Sequence, residues 1–407
     1  MTPSGITPAR LPLAGRRVLE LGQILAGPFA GQLLGAFGAE VIKVEPPGAG
    51  DPIRTWRGMD GDTSLWWRSL ARNKKCITLD LRRPEGRDLA RRLIAQCDVL
   101  IENFRPGTLE AWGLDPEALR QEFPRLVVAR VSGYGQTGPH APRPGYAAVC
   151  EAVGGLRYVT GHPGETPVRS NLSLGDSLAG LHATLGVLLA LYARDRVDGG
   201  SDQGQQVDVA ITESVFQMLE ATVPEYDRLG LVREPAGTTI TGIAPTNAYR
   251  CKDGRTVVIA ANGESNFERL MVTIGRPELA RDPRFAGNTN RVQHAAELDA
   301  AIGAWAVERD SAEIVKILAE SAVPAGPVQN VADLFADPQV AARELLETVE
   351  VNGRPLRVPA VLPKLSATPA ETHWAGPELG QHNREVYGGL LGLGEEELAR
   401  LAAAGVI

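Results

Sequence analysis

Cysteine and histidine are scarce in this 407-residue chain, with 4 and 6 copies. Cys76, Cys97, Cys150 and Cys251 stand apart, with no Cys-x-x-Cys pair and no histidine at metal-ligand spacing, so neither a disulfide framework nor a zinc site is expected. Reduced thiols point to a reducing compartment, the cytoplasm. The histidines form no His-Glu-x-x-His, and Gly-x-Ser-x-Gly is missing, which leaves zinc-hydrolase and serine-hydrolase chemistry without a local motif. Basic charge is not in excess either: the net charge of −7 argues against a nucleic-acid or anionic-membrane partner and for a small molecule. The opening MTPSGITPARLPLAGRR lacks the apolar core of a leader, and no later stretch reads as a membrane span.

What is present is an alternation of strand-like and helical segments. Arg16–Glu45 runs from an apolar segment through a glycine turn and an Ala/Leu-rich helix to a second apolar segment, the pattern of a βαβ unit. Further strands are expected at Cys76–Leu81, Asp98–Ile101 and Leu126–Val131, with a helix over Glu85–Ala95. Together they imply a parallel sheet covered on both faces, an α/β fold. SLGDSLAGLHATLGVLLALYAR, from Ser173, reads as one long apolar helix buried in the fold, followed by a polar loop to Gln206 and a helix over Ile211–Glu220. TNAYRCKDGRTVVIAA reads as a hairpin turning at Asp253-Gly254. The expected division is 1–200 as a large α/β domain, 201–225 as a linker helix, 226–328 as a smaller α+β domain, and 329–407 as a segment returning to the large domain.

The opening βαβ unit invites a dinucleotide reading, but its glycines refuse it. Gly22, Gly27 and Gly31 fall as G-x4-G-x3-G, and Pro28 and Phe29 follow Gly27, so neither the dinucleotide nor the Walker fingerprint is present. Bases and aromatics cluster in Arg54–Lys75 and Glu102–Gly113, a mixture suited to a ligand that carries an aromatic base and phosphates, or to an ordinary solvated surface. Asp176, in Leu174-Gly175-Asp176-Ser177 at a helix start, reads either as a helix cap or as a carboxylate held ionised by helix N–H groups and able to act as a nucleophile.

The segments LAGRRVLELGQILAGPFAGQLLGAFGAEVIKVEPPGAGD, RNKKCITLDL, DVLIENFRPGTLEAWGL, RVSGYGQTGP, PGYAAVCEAVGGL, SLGDSLAG, GQQVDVAITESV, VPAGPV and LGQHNREV stand in the order of a known family. From about Leu13 to the C-terminus the chain resembles the class III CoA-transferases, which include formyl-CoA transferase and carnitine CoA-transferase. The resemblance implies a Rossmann-like domain built from both chain ends, a smaller domain between, and an interlocked homodimer. It implies that Asp176 attacks an acyl-CoA thioester to give a mixed anhydride, that CoA thiolate then forms an aspartyl-CoA thioester, and that an acceptor acid takes the CoA through a second anhydride. No metal and no tightly bound cofactor are required; CoA and acyl-CoA are substrates. By motif, Arg72, Asn73, Lys74, Asn103, Phe104, Arg105 and Tyr146 are implied to hold CoA.

The chain also departs from its family. Formyl-CoA transferase has glutamine immediately before Ala-Gly-Pro where this chain has Leu25, with Gln23 two residues earlier the candidate to reach the same substrate site, and its glycine-rich loop is replaced by Gly237–Asn247. Ala147 stands where an acid often follows the tyrosine. The related α-methylacyl-CoA racemases carry histidine where this chain has Tyr146, and an unperturbed tyrosine is a poor acid/base partner at neutral pH. ENFRPGTLEAWGL and GYGQTGP most resemble members that move CoA from succinyl-CoA to dicarboxylic acids, with Arg169 a candidate for the distal carboxylate. A racemase and a non-catalytic acyl-CoA-binding protein are the alternative readings.

Overall fold

The structure, a computed structural model, describes residues 11–196 and 198–407, so the start of the opening segment lies outside the described residues. By its internal contacts the chain divides into two compact units: Met1–Leu156, Ser170–Glu220 and Glu344–Ile407 form one, and Arg157–Arg169 with Ala221–Arg343 form the other.

The first unit is organised by a parallel sheet. Its strands are β1 (Arg17–Glu20), β2 (Glu40–Glu45), β3 (Lys74–Thr78), β4 (Val99–Glu102), β5 (Val127–Ser132) and β6 (Gln206–Ala210). They lie in the order β3-β2-β1-β4-β5-β6, every neighbouring pair parallel. This is the doubly wound order, in which the winding reverses between β1 and β4 and opens a crevice at their carboxyl ends. Strand alternation feeds two cores. Leu19, Ile42, Leu100 and Val128 face one side with helix α2 (Pro84–Ile94), while Val18, Val41, Val99 and Val127 face the other with helices α1 (Ala26–Ala36) and α4 (Leu174–Asp195). A short helix α3 (Ala147–Val153) precedes α4.

Three sequence expectations change here. Residues 201–225 are not a linker helix: Gln206–Ala210 is the edge strand β6, paired with β5 from Val128↔Gln206 to Ser132↔Ala210. Its polar alternation reads as loop in sequence because one edge strand needs few apolar residues. The helix after it spans Ile211–Phe216 and tightens into a 3-10 turn at Gln217–Leu219. The long helix α4 is buried on one stripe only. Ala179, Ala183, Val187 and Ala190 pack into the core, while Leu181, Leu185, Leu188, Leu189 and Tyr192 are exposed. By length and composition alone α4 also suffices to cross a membrane, but its small-residue stripe is part of the sheet's core.

The C-terminal segment closes the open edge of β3. Cys76 N–H donates to His382 Nδ1 at 3.0 Å and His382 N–H returns to the Cys76 carbonyl at 3.0 Å, while Thr78 N–H donates to Asn383 Oδ1 at 2.9 Å and Asn383 Nδ2 donates to Thr78 Oγ1 at 2.7 Å. The edge is thus covered rather than left to pair with another strand. In the second unit, strands β7 (Thr246–Arg250), β8 (Thr256–Ala260) and β9 (Ala325–Pro327) form an antiparallel sheet in the order β9-β8-β7. The β7–β8 hairpin turns at Asp253-Gly254. Arg157–Arg169 belongs to this unit, held by Tyr158 Oη to Glu234 at 2.8 Å and Gly237 N–H to the Gly161 carbonyl at 2.8 Å.

Candidate functional site

The carboxyl ends of β1 and β4 continue into two turns, Gly22–Leu25 and Asn103–Arg105, that sit at the sheet's reversal point. They border a cavity of about 410 Å³ whose wall also holds Tyr146, Ile211 and Asp176. Five segments distant in sequence therefore meet in one unit. Asp176 is the third residue of α4, inside its first turn rather than at the cap; Ser173 occupies the cap position and makes no side-chain capping bond. The helix dipole still favours a carboxylate there. The preceding residue is fixed from α3, since the buried Glu151 accepts the Gly175 N–H at 3.0 Å. Cys150 beside them is pushed up to about 11 by burial and by the charges of Asp176 and Glu151, so its thiol stays protonated.

The two turns are clamped together. Gln23 N–H donates to Asn103 Oδ1 at 2.7 Å, and Asn103 Nδ2 donates to the Gln23 carbonyl at 2.8 Å. Gly22 is required by this contact, because a Cβ there would meet Asn103 Oδ1 at 2.9 Å. Gly31 is required by a different one: a Cβ would fall 1.9 Å from a carboxylate oxygen of buried Glu20. The Asn103–Arg105 turn is steadied by Glu102, which accepts from Phe104 N–H at 2.8 Å and from Arg130 Nε at 2.8 Å. Arg105 and Tyr146 are exposed at the cavity, Tyr146 to 68 %.

A second cavity of about 290 Å³ shares Gln23 and Phe104 with the first. Leu21, Val44, Pro46, Pro47, Ala49, Leu79, Leu81 and Trp112, with the charged Glu45, Asp80 and Arg82, form the rest of a mostly apolar slot, in which Phe104 meets Trp112 edge-on at 5.1 Å between ring centres. Sequence reading missed this slot. Its signal was positional: Leu79–Arg82 and Pro46–Pro47 directly follow the carboxyl ends of β3 and β2, where doubly wound sheets gather ligand contacts.

Arg72, Asn73 and Lys74 are not brought to either of these cavities. Arg72 is buried on Glu347 at 3.1 Å and the Ser69 carbonyl at 2.8 Å. Asn73 bonds the backbone of Glu371 and His373. Lys74, 1 % exposed, pairs with Glu20 at 2.8 Å and donates to the Pro28 carbonyl at 2.7 Å; burial pulls its ammonium below the ordinary value although Glu20 opposes this. Arg72 also lines a separate cavity of about 550 Å³ with Trp66, Ser69, Ser173 and Ser177, while Asn73 and Lys74 are engaged in the interior bonds above. Arg169 lies in the second unit and is exposed there.

A doubly wound sheet with a two-part cavity at its reversal point defines an α/β protein built to hold an extended ligand. Comparison with known proteins gives the family. Residues 13–383 match the model of CoA-transferase family III. The chain is 48% identical to succinyl-CoA–D-citramalate CoA-transferase of Chloroflexus aurantiacus, over 97% of this chain and 98% of that protein. It is 34% identical to human succinyl-CoA:glutarate CoA-transferase, over 97% of this chain and 90% of that one. Among solved structures, a CAIB/BAIF family protein from Brucella suis superposes with a TM-score of 0.82 at 35% identity, over 94% of this chain and all of that one. The chain belongs to CoA-transferase family III and is an enzyme whose class uses CoA thioesters as substrates.

Proposed function

We propose that the protein transfers CoA from succinyl-CoA to a small dicarboxylic acid, with Asp176 as the nucleophile. The observation that carries this reading is the single cavity in which Asp176 meets the Gly22–Leu25 and Asn103–Arg105 turns and Tyr146. The Asp176 carboxylate attacks the thioester carbonyl, expelling CoA thiolate and leaving an aspartyl–succinyl anhydride. The thiolate attacks the aspartyl carbonyl and releases succinate, giving an aspartyl-CoA thioester. The acceptor carboxylate attacks that carbonyl, the thiolate leaves, and its return to the acceptor's acyl carbon frees Asp176. One thioester and one acid are exchanged for another pair, so the chemistry is near balance, and holding CoA throughout supplies the proximity.

In this reading the adenine base of CoA lies in the slot of Phe104 and Trp112, with Arg82 and Arg105 toward its phosphates. The protein acts as a homodimer, whose partner covers the exposed leucines of α4. Four free cysteines, three of them buried, suit the reducing cytoplasm. The test is to incubate the protein and Asp176→Ala with succinyl-CoA and a panel of carboxylic acids and to follow every acyl-CoA by mass spectrometry. New acyl-CoA species that vanish in the variant support the reading; no exchange with any acid overturns it, and deuterium uptake at the acyl α-carbon would favour a racemase instead.

A further inference from the structure

Beneath the Asp176 cavity lies a set of buried charges that the exchange chemistry does not use. Glu20 and Lys43 are 0 % exposed and Asp51 1 %. They converge on one turn. The Lys43 ammonium donates to the Gly22 carbonyl. Both carboxylate oxygens of Asp51 accept the Ile24 N–H at 3.1 Å. Lys43 and Asp51 are themselves 2.9 Å apart, so the two grips on the turn are one ion pair, and Lys43 also lies 3.4 Å from Glu20. The gripped residue is in an unusual state: Ile24 has φ +67°, the left-handed region that a β-branched side chain avoids. A residue stays there only where its surroundings over-determine it, and such positions gather at functional sites. Burial opposes the charged form of both partners. Around Lys43 it is outweighed by Asp51, Glu20 and Glu45, and at Asp51 by Lys43 and the Ile53 and Ile24 amides, so the pair stays ionised.

Resting on the transferase reading, we propose that Lys43 and Asp51 are positioning residues: their ion pair holds the Gly22–Leu25 turn in its left-handed form, as a fixed wall of the Asp176 cavity. Neither residue lines that cavity; Gln23, Ile24 and Leu25 do. The pair thus acts on the reaction only through the turn, which it holds in place before any substrate binds.

The experiment compares wild type with Asp51→Asn, Lys43→Met and Ile24→Gly in three readouts: steady-state CoA exchange, CoA affinity by calorimetry, and hydrogen–deuterium exchange of the peptide spanning 18–26. Ile24→Gly guards against loss of folding, since glycine adopts positive φ freely and the variant loosens the turn without touching a buried charge. The expected result is a fall in kcat of about 10- to 100-fold in each folded variant. CoA affinity stays within about twofold, the 18–26 peptide exchanges faster, and α4 is unchanged. A merely structural role would lower the melting temperature and leave kcat per folded molecule intact. Folded Asp51→Asn or Ile24→Gly exchanging at the wild-type kcat overturns the proposal while the transferase reading stands. A wild type that exchanges no acid overturns both.

Discussion

Asn103 and Gln23 close a two-bond ring, side-chain amide against backbone, at 2.7 and 2.8 Å. The ring ties the turn after β1 to the turn after β4, the two strands between which the sheet reverses. One donor and one acceptor of the Asn103 amide are thereby engaged within the chain, so this residue fixes the shape of the cavity it lines.

Asn103→Ala removes both bonds and leaves two backbone groups of Gln23 without their partner. The expected cost is about 1–3 kcal/mol of stability, with a fall in kcat of at least about 10-fold. Asn103→Asp, which keeps only the acceptor, falls between. Denaturant unfolding and exchange kinetics on the three proteins check the order; an Asn103→Ala protein with wild-type stability contradicts it.

Phe104 and Trp112 make the slot assigned to adenine. Stacking a base on an aromatic ring contributes about 1–3 kcal/mol, so Phe104→Ala raises the Michaelis constant for acyl-CoA about tenfold and changes kcat little. Steady-state kinetics with acyl-CoA varied at saturating acid measures this. An unchanged constant places the base elsewhere.

Lys74 and Arg105 carry the same charge in opposite settings. Lys74→Met leaves buried Glu20 short of a partner and destabilises by about 3–5 kcal/mol. Arg105→Ala, at an exposed side chain that donates to the Pro142 carbonyl, leaves the melting temperature unchanged and weakens CoA binding. Paired melting and calorimetry decide the matter. A stable Lys74→Met protein that has lost CoA would return Lys74 to the binding site.

His382 predicts how stability responds to acid. Its Nδ1 accepts the Cys76 N–H, which requires that nitrogen to be unprotonated. Burial holds its pKa below the ordinary 6.5 although Glu385 opposes this. A depressed pKa means that the unfolded chain binds the proton more readily. The contribution is therefore complete above about pH 6.5 and is lost as pH falls through the lower folded value. The stability gap between wild type and His382→Gln should shrink from pH 7 to pH 5; a gap constant over that range removes His382 as the cause.

Much of this was legible in the sequence. The βαβ opening, the parallel sheet, the β7–β8 hairpin and the start of α4 follow from apolar periodicity and turn residues, and Asn103, Phe104, Arg105, Tyr146 and Asp176 do line one cavity. Residue type and placement part company elsewhere. Asn73 and Lys74 look like part of a phosphate site but form interior bonds, because Lys74 begins the edge strand β3 and its ammonium reaches buried Glu20 of β1. Trp112 stands in the Glu102–Gly113 cluster and Arg82 outside both clusters, yet they share a slot, because strand ends far apart in sequence come together only through the order of the sheet. The half-buried state of α4 was hidden for a related reason: an all-apolar helix does not declare which stripe the sheet will cover.

The central claim is covalent chemistry at Asp176, and it is tested most directly on the protein itself. Wild type mixed with succinyl-CoA, quenched in acid and digested, should yield a peptide containing Asp176 that carries CoA in thioester linkage. That adduct should disappear when a dicarboxylic acceptor is added before the quench, and Asp176→Ala should never form it. CoA attached to another residue, or brisk exchange in the Asp176→Ala protein, would contradict the account.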